Sequence, residues 1–305
     1  MCGRGSHQIA ESGATYGVAG RLGARPVGTT IRPSRSSVIH VLGIRRKPVA
    51  LSWYARQTDG VGSITWGKDI AEAYDTTSAA MYDPAILDPA VRLLAELADG
   101  GPALEFAIGT GRVALPLREQ GVEVAGIELS PDMVEQLRRK PGAEGVQVTV
   151  GDMTSAKAGS TFKLVYLVWN AIMNVTTQAE QVAVFENAFS HLQPGGRFVV
   201  EVIVPQLRRV PPGETTRVFQ SDPDHVGTET FDDLVGQIAW SHHWMAVDGH
   251  LVHHSAPYRY VWPAELDLMA RVAGLDLENR WSDWKRGEFT SESDNQIAVF
   301  AQSRS

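Results

Sequence analysis

The chain has 305 residues, a formal net charge of −7 and a single cysteine, Cys2. A hydrophobic content of 43% excludes a wholly disordered chain, and the length suits one large α/β domain with additions. The chain contains no apolar run of about 18 residues, so no membrane span is predicted. A single cysteine excludes both a disulfide framework and a cysteine-based zinc site. A cytoplasmic location is therefore expected.

The charge is distributed unevenly along the chain. Residues 1–65 carry nine Lys and Arg and two acidic residues, a net +7, which leaves −14 on the remainder. Such an acidic body argues against nucleic acid as a partner, because phosphates repel a negative surface.

The first 65 residues are rich in Gly, Ser and Arg and lack the apolar core of a secretory signal. Only Ser37–Ile44 has the pattern of a strand. We predict a basic, disordered N-terminal extension over 1–65. The alternatives are an organelle transit peptide, or translated upstream sequence with the true start near Asp59.

From Trp66 onward, predicted helices alternate with predicted strands. In chain order these are helix Ala85–Leu97, strand Leu104–Ile108, helix Arg112–Gln120, strand Val122–Leu129, helix Pro131–Lys140, strands Val146–Val150 and Phe162–Trp169, helix Gln178–Leu192 and strand Arg197–Val204. This alternation implies an α/β fold in which a doubly wound parallel sheet is covered by helices on both faces.

After Pro205 the pattern becomes antiparallel. Residues 206–262 are predicted to form an antiparallel β insertion over the sheet, in which strands Gln237–Val247 and His250–Val261 meet at the hairpin turn Asp248-Gly249. The chain then ends with helix Pro263–Ala273 and strands Leu275–Trp281 and Gln296–Gln302. The turn Gln193–Gly196 is predicted to separate the fourth long helix from the fifth strand.

A glycine turn and two acidic residues follow three successive strands of this sheet. Gly109 and Gly111 permit a tight turn and let a ligand approach the backbone at a helix start, where N–H groups are free. Glu128 ends the next strand, where a carboxylate accepts hydrogen bonds from both hydroxyls of a ribose. Asp152 follows the third strand, where it can accept from an adenine amino group. The sequence therefore predicts a nucleoside cofactor in one crevice outside the carboxyl ends of the strands.

Glu105 helps to decide which nucleoside is bound. The pattern Gly109-x-Gly111-x-x-Ala114 also satisfies the dinucleotide fingerprint, and a nicotinamide-dependent oxidoreductase is therefore one alternative. However, a carboxylate at Glu105 would repel a diphosphate, whereas it suits the amino group of an amino-acid tail. This favours a cofactor that carries such a tail.

Four segments together resemble the class I S-adenosylmethionine-dependent methyltransferases. Glu105–Gly111 resembles their first motif, Glu128–Met133 their second, Gly151–Met153 their third, and Leu192–Arg197 the turn before their fifth strand. The antiparallel hairpin is similar to that of bacterial small-molecule methyltransferases, such as amino-sugar N-methyltransferases. The resemblance implies a Rossmann-like seven-stranded sheet with an antiparallel last strand. It also implies S-adenosyl-L-methionine as cofactor and in-line methyl transfer to a small-molecule O or N acceptor, without a metal.

The resemblance also implies a role for individual residues, all in cofactor binding. It places Gly109, Gly111 and Glu105 beside the methionine portion, Glu128 on the ribose, Leu129, Met133, Asp152 and Met153 around the adenine, Trp169 and Asn170 near the sulfonium, and Tyr74 over the cofactor, with Arg112 also in the set. It assigns no catalytic base. The stretch Trp169-Asn170-Ala171-Ile172 differs from the Asn-Pro-Pro-Tyr motif of nucleobase N-methyltransferases, which argues against DNA or protein-glutamine acceptors.

The inserted hairpin carries histidines and tryptophans that invite other interpretations. It would place His243 opposite His254 and Trp244 opposite His253. The second pair is typical of ordinary sheet packing. No carboxylate or cysteine completes a metal site, so no metal site is predicted. The late tryptophans are expected to pack rather than to line an acceptor pocket. A non-catalytic cofactor-binding or regulatory subunit is a further alternative, and monomer and homodimer are both left open.

Overall fold

The computed structural model describes residues 53–54, 56–57, 64–247 and 249–303. The predicted extension up to residue 52, with its predicted strand Ser37–Ile44, lies outside the described residues. Three two-residue strands fall in the last part of that extension, namely β1 (Trp53–Tyr54), β2 (Arg56–Gln57) and β3 (Ile64–Thr65). The domain boundary at residue 65 stays a prediction. Within the described ranges, no helix has the length and apolarity that a membrane crossing requires.

Helices and strands alternate from residue 68 to residue 203. The elements are α1 (Lys68–Thr77), α2 (Pro84–Ala98), β4 (Ala103–Phe106), α3 (Ala114–Glu119), β5 (Val124–Glu128), α4 (Pro131–Arg138), β6 (Gln147–Val150), β7 (Phe162–Leu167), α5 (Gln178–His191) and β8 (Leu192–Ile203). Beyond them come β9 (Thr216–Ser221), β10 (His225–Asp233), β11 (Ile238–Val247), β12 (His250–Arg259), α6 (Pro263–Val272), β13 (Leu275–Trp281) and β14 (Asn295–Gln302).

Short-range sequence signals account for where these helices begin. Asp83 caps α2 by accepting a hydrogen bond from the N–H of Ala85 at 2.8 Å, and Ser130 caps α4 by accepting from the N–H of Met133 at 3.2 Å. The helices α2, α4 and α6 each have proline at a first position, where no N–H is needed. These signals explain why the predicted helices match the observed ones to within a few residues.

The main sheet has seven strands in the order β13-β14-β8-β7-β4-β5-β6. Strands β4 to β8 are parallel, whereas β14 is antiparallel to both of its neighbours. This confirms the predicted Rossmann-like sheet with an antiparallel last strand. Because β4, β5 and β6 are neighbours, the turns that follow them share one edge of the sheet.

Helices cover both faces of the main sheet and enclose two apolar cores. On β14, Ile297 and Val299 belong to one core while Ala298 and Phe300 belong to the other, which is the two-residue period of a strand buried on both faces. Full burial of each large apolar side chain contributes about 1.5–3 kcal/mol before opposing entropy.

One predicted boundary is wrong. The segment Gln193–Gly196 was predicted to be a turn between helix and strand, but β8 begins at Leu192, directly after α5. Strand β7 pairs Phe162 with Leu192 and then Leu164 with Arg197, so the four residues between them form a bulge opposite a single residue.

The insertion forms a second sheet in the order β1-β12-β11-β10-β9. The predicted hairpin is confirmed, since β11 pairs antiparallel with β12 and aligns His243 with His254 and Trp244 with His253. Strands β9 and β10 were not individually predicted. One face of this sheet points toward the main domain, because Phe231, Ala239 and Tyr258 belong to the core on one side of the main sheet.

Candidate active site

The glycine turn after β4 is held in an unusual backbone conformation. Ala107, Gly109 and Gly111 have φ angles of 54°, 56° and 81°. A Cβ at Gly109 would meet only the carbonyl oxygen of Ala107, at 3.9 Å, so the backbone there is open to a ligand. A Cβ at Gly111 would instead lie 2.2 Å from Cδ1 of Leu137. The absent side chain of Gly111 therefore leaves room for Leu137 of α4, and its role in admitting a ligand stays a prediction.

Glu128 connects the glycine turn to the start of α4. Its carboxylate is 6% exposed and accepts hydrogen bonds from the N–H groups of Gly109, at 2.8 Å, and of Ser130, at 2.9 Å. Burial raises the pKa of Glu128, although the hydrogen bonds from Ser130 and Gly109 oppose that rise. Each carboxylate oxygen has a second lone pair, so this group can also accept from two further hydroxyls.

Asp152 has one carboxylate oxygen with a partner and one without. Its Oδ1 accepts from the N–H of Thr154 at 2.8 Å, whereas its Oδ2 is buried with no hydrogen-bond partner. A buried acceptor that lacks a donor costs about 1–3 kcal/mol. An incoming amino group would satisfy this atom, so the site fits an adenine at this position.

The apolar residues predicted around the adenine differ in how much surface they expose. Met133 and Met153 are both buried, and Met153 belongs to a main core. Leu129 is half-buried. Of the three, Leu129 therefore offers the most open surface to a ligand.

Glu105 lies buried beneath the glycine turn and has a partner that the sequence did not reveal. The hydroxyl of Tyr166, on the neighbouring β7, donates to its Oε2 at 2.9 Å. Burial raises the pKa of the Glu105 carboxyl to about 8, against the lowering effects of the Tyr166 hydrogen bond and the Arg112 charge. At neutral pH this carboxyl is therefore largely protonated when no cofactor amino group lies beside it.

The raised pKa of Glu105 predicts a specific pH dependence of stability. The native state holds this proton between the ordinary pKa of 4.5 and about 8, where the unfolded chain has lost it. The contribution of Glu105 to the free energy of unfolding is thus full below pH 4.5 and is lost as the pH rises to about 8. Glu105→Gln keeps an acceptor for Tyr166. We expect its free energy of unfolding, measured with urea, to rise by about 2 kcal/mol relative to that of the native sequence as the pH goes from 6 to 8.5.

Glu265 provides the control for this experiment. Burial raises the pKa of Glu265, but hydrogen bonds from Arg259, Gln237 and Gln178 outweigh this and lower the pKa below 4.5. Its contribution is therefore lost only in acid, and the effect of Glu265→Gln should be constant from pH 6 to 8.5. Equal pH profiles for the two variants would contradict a protonated Glu105.

Helix α1 is attached to the glycine turn through Asp75. The hydroxyl of Thr110 donates to Asp75 at 2.6 Å, and Lys140 forms an ion pair with the same carboxylate. Although burial raises the pKa of Asp75, hydrogen bonds from Lys140, Thr110 and Tyr82 lower it overall. The sequence did not single out this network, because its members lie far apart in the chain.

The attachment of α1 brings Tyr74 into the site. Burial raises the pKa of the Tyr74 hydroxyl, the positive charge of Arg112 opposes this, and the carboxyls of Glu128 and Glu105 add to it. Tyr74 therefore lies within electrostatic reach of three other predicted site residues. Its position over the cofactor stays a prediction.

The turn after β7 completes the edge of the crevice. Trp169 and Asn170 have φ angles of 53° and 60°, and the Trp169 ring is 43% exposed. The guanidinium carbon of Arg112 lies 5.2 Å from the centre of that ring. Arg112 thereby links the turn after β4 to the turn after β7.

The histidines of the inserted sheet contact one another and nearby hydroxyls. The two ring nitrogens of His243 lie 2.9 Å from Nε2 of His225 and 2.9 Å from Oγ of Ser241. Burial, together with the neighbouring histidines His225, His254 and His242, lowers the pKa of His243 to about 4. On the other face, Trp244 stacks on His253 with ring centres 4.7 Å apart. Over the part of the chain that the structure describes, no three His, Cys, Asp or Glu side chains are grouped to hold a metal ion.

Comparisons with known proteins agree with this geometry. The sequence profile of a family described as a methyltransferase domain matches residues 103–196. The structure of the CcbJ methyltransferase from Streptomyces caelestis superposes with a TM-score of 0.70 at 33% identity, covering 78% of this chain and 98% of that one.

Two curated relatives have more specific names. The chain is 26% identical over 237 residues to a cypemycin N-terminal methyltransferase from a Streptomyces species, covering 74% of this chain and 96% of the relative. It is 31% identical over 137 residues to a dTDP-3-amino-3,6-dideoxy-alpha-D-glucopyranose N,N-dimethyltransferase of Streptomyces fradiae, covering 44% of this chain and 52% of the relative.

The family assignment agrees with the glycine turn, the acidic residues after the next two strands and the antiparallel last strand. The family assignment excludes the alternative that the chain is a nicotinamide-dependent oxidoreductase. This chain belongs to the class I S-adenosylmethionine-dependent methyltransferases, and it is an enzyme that uses S-adenosyl-L-methionine as its cofactor.

Proposed function

We propose that this enzyme transfers a methyl group to an amino group of a small molecule, with the cofactor bound across the carboxyl ends of β7, β4, β5 and β6. Two carboxylates carry the placement: the buried Glu128 is already fixed between two loops, and the buried Oδ2 of Asp152 lacks a donor. Together they match the two ends of an adenosine, the ribose hydroxyls and the adenine amino group.

The cofactor-binding residues in this proposal are those predicted from the sequence. They are Tyr74, Glu105, Gly109, Gly111, Arg112, Glu128, Leu129, Met133, Asp152, Met153, Trp169 and Asn170. Gly111 acts indirectly, since its role is to let α4 pack under the turn. Tyr166 joins the set as the partner of Glu105.

The inserted sheet is the proposed cover for the acceptor. At one end it approaches the adenosine side, because the Trp66 ring lies 5.9 Å from the His254 ring and the Trp66 carbonyl accepts from Ser130 at 2.6 Å. At the other end, Gln181 of α5 donates to the carbonyls of Ile172 and Arg259, which joins the segment after β7 to β12. A small acceptor would lie between this cover and the cofactor.

An amino acceptor is favoured over a hydroxyl by the relatives. The names of two of them specify methylation at an N-terminus and at the amino group of a nucleotide-linked sugar. When bound, S-adenosyl-L-methionine would supply a methyl group on a sulfonium, and the neutral thioether S-adenosylhomocysteine would be the leaving group of the in-line displacement. The contribution of the protein is then to orient the acceptor nitrogen and to exclude water.

Paired acceptors test this proposal. The purified protein would be incubated with S-adenosyl-L-methionine and either a nucleotide-linked amino sugar, its hydroxyl counterpart, or a short peptide with a free N-terminus. We expect mass spectrometry to show an added methyl group only on amine-bearing acceptors. Transfer to the hydroxyl counterpart alone would contradict an amine acceptor, and cofactor binding without transfer to either amine-bearing compound would contradict the acceptor classes proposed here.

The adenine position predicts the effect of Asp152→Asn. The asparagine oxygen can still accept from Thr154, but its NH₂ would then face the adenine amino group, so two donors would meet. We expect calorimetry to show S-adenosylhomocysteine binding weakened about 10- to 100-fold, with the free energy of unfolding little changed. Unchanged affinity would place the adenine elsewhere.

A further inference from the structure

Glu201 is a buried carboxylate that the proposed cofactor site does not include. It lies near the carboxyl end of β8 and is 8% exposed. Its Oε2 accepts from the backbone N–H of Trp169 at 2.8 Å. Its Oε1 accepts from the indole N–H of Trp284 at 2.8 Å and from the side-chain amide of Asn295 at 3.5 Å. These donors come from the turn after β7, from the segment between β13 and β14, and from the start of β14.

The turn that Glu201 holds is strained. Left-handed conformations cost about 1–3 kcal/mol for residues other than glycine, and Trp169 and Asn170 adopt them in succession. Such a turn persists only where other contacts determine it. In addition to the hydrogen bond from the Trp169 N–H, two contacts hold the turn. The carbonyl of Glu201 accepts from the N–H of Asn170 at 3.2 Å. Oδ1 of Asn170 accepts from the N–H of Ile203 at 2.7 Å.

The same turn shapes a cleft beside the cofactor crevice. This cleft is small, and its lining includes Arg112, Val168, Trp169, Glu201 and Trp284. Within it, the Trp169 ring supports the guanidinium of Arg112. The orientation of that guanidinium therefore depends on the backbone of the turn.

We propose that Glu201 is a positioning residue for the methionine end of the cofactor. It fixes the Trp169–Asn170 turn, which in turn supports Arg112, and it couples this turn to Trp284. The inference rests on the proposed cofactor placement, in which Trp169 and Asn170 lie near the sulfonium, and it adds that Arg112 acts at the methionine end. A carboxylate is needed because two donors require two acceptor oxygens.

The main test is Glu201→Gln. Glutamine has one acceptor oxygen, so one of the two N–H groups would face an NH₂. We expect calorimetry to show a roughly 10-fold loss of affinity for S-adenosylhomocysteine, and kinetics to show a higher KM for S-adenosyl-L-methionine with a smaller change in kcat. In the cofactor-free protein, we expect faster amide hydrogen exchange at Trp169 and Asn170.

A second substitution separates positioning from simple loss of stability. Trp284→Phe removes the shorter of the two hydrogen bonds to Oε1. The single oxygen of glutamine can then accept from the Trp169 N–H, while its NH₂ faces Asn295, whose Oδ1 is buried without a partner. We therefore expect Glu201→Gln combined with Trp284→Phe to bind S-adenosylhomocysteine as tightly as Trp284→Phe alone. Additive losses would instead show that Glu201 does not act through the pairing of these two N–H groups.

Glu265→Gln is the matched control. It also removes a largely buried carboxylate that accepts from several donors, but on α6, away from the crevice. Its affinity for S-adenosylhomocysteine should be unchanged.

Two results would overturn the role of Glu201. These are unchanged affinity and exchange in folded Glu201→Gln, or additive losses in the double variant. If Asp152→Asn also left affinity unchanged, the cofactor placement itself would be wrong. If Asp152→Asn weakened binding while Glu201→Gln did not, only the inference about Glu201 would fail.

Discussion

Glu128→Gln is expected to lower the affinity for S-adenosyl-L-methionine at least about 100-fold. The ribose would lose a charged acceptor, and each hydrogen bond to a charged group contributes about 1.5–3 kcal/mol. The native carboxylate accepts from the N–H groups of both Gly109 and Ser130. In the variant, the amide NH₂ would face one of these two N–H groups. Calorimetric titration with the cofactor and with S-adenosylhomocysteine measures the loss.

The structure also shows why alanine is the poorer choice at this position. Glu128→Ala would leave two N–H groups without their acceptor and would disturb the glycine turn itself. Glu123→Gln is a suitable control, because Glu123 is an exposed carboxylate just before the same strand. Weak binding by Glu123→Gln, or near-native binding by folded Glu128→Gln, would contradict the assignment of the ribose site.

Gly111→Ala is expected to cause the largest loss of stability. The φ angle of 81° is unfavourable for alanine, and the added Cβ would lie 2.2 Å from Cδ1 of Leu137. We expect a loss of about 2–4 kcal/mol in the free energy of unfolding, of which about 1 kcal/mol is backbone strain and the rest overpacking. Urea unfolding measures this loss.

Gly142→Ala separates the two contributions. Gly142 has the same φ angle of 81°, but nothing lies within 4 Å of a Cβ there. Its substitution should therefore cost only about 1 kcal/mol. Equal losses at Gly111 and Gly142 would show that Leu137 moves aside and that packing does not require glycine at 111.

The order of elements in the main sheet could be predicted because each strand and helix has a local signal. Buried parallel strands are continuous apolar runs, and Ser130-Pro131 marks the start of α4. Strand β9 was missed for the opposite reason. Its residues are mostly exposed, so it has no alternation of apolar and polar side chains.

The site was only partly predictable for a different reason. Glu128 and Asp152 follow strands directly, so their position in the chain indicates their position at the sheet edge. Tyr166 and Glu201 act through partners 61 and 32 residues away, which only the tertiary structure brings close. The positive φ of Ala107 has no sequence signal, since alanine does not favour it.

A crystal structure of the complex with S-adenosylhomocysteine tests the central claim most directly. The proposed placement predicts the adenine amino group within hydrogen-bonding distance of Oδ2 of Asp152, and both ribose hydroxyls on the carboxylate of Glu128. It also predicts the amino-acid tail between Glu105 and Arg112. A nucleoside bound elsewhere, or one in this crevice that contacts neither Glu128 nor Asp152, would contradict the proposed cofactor site.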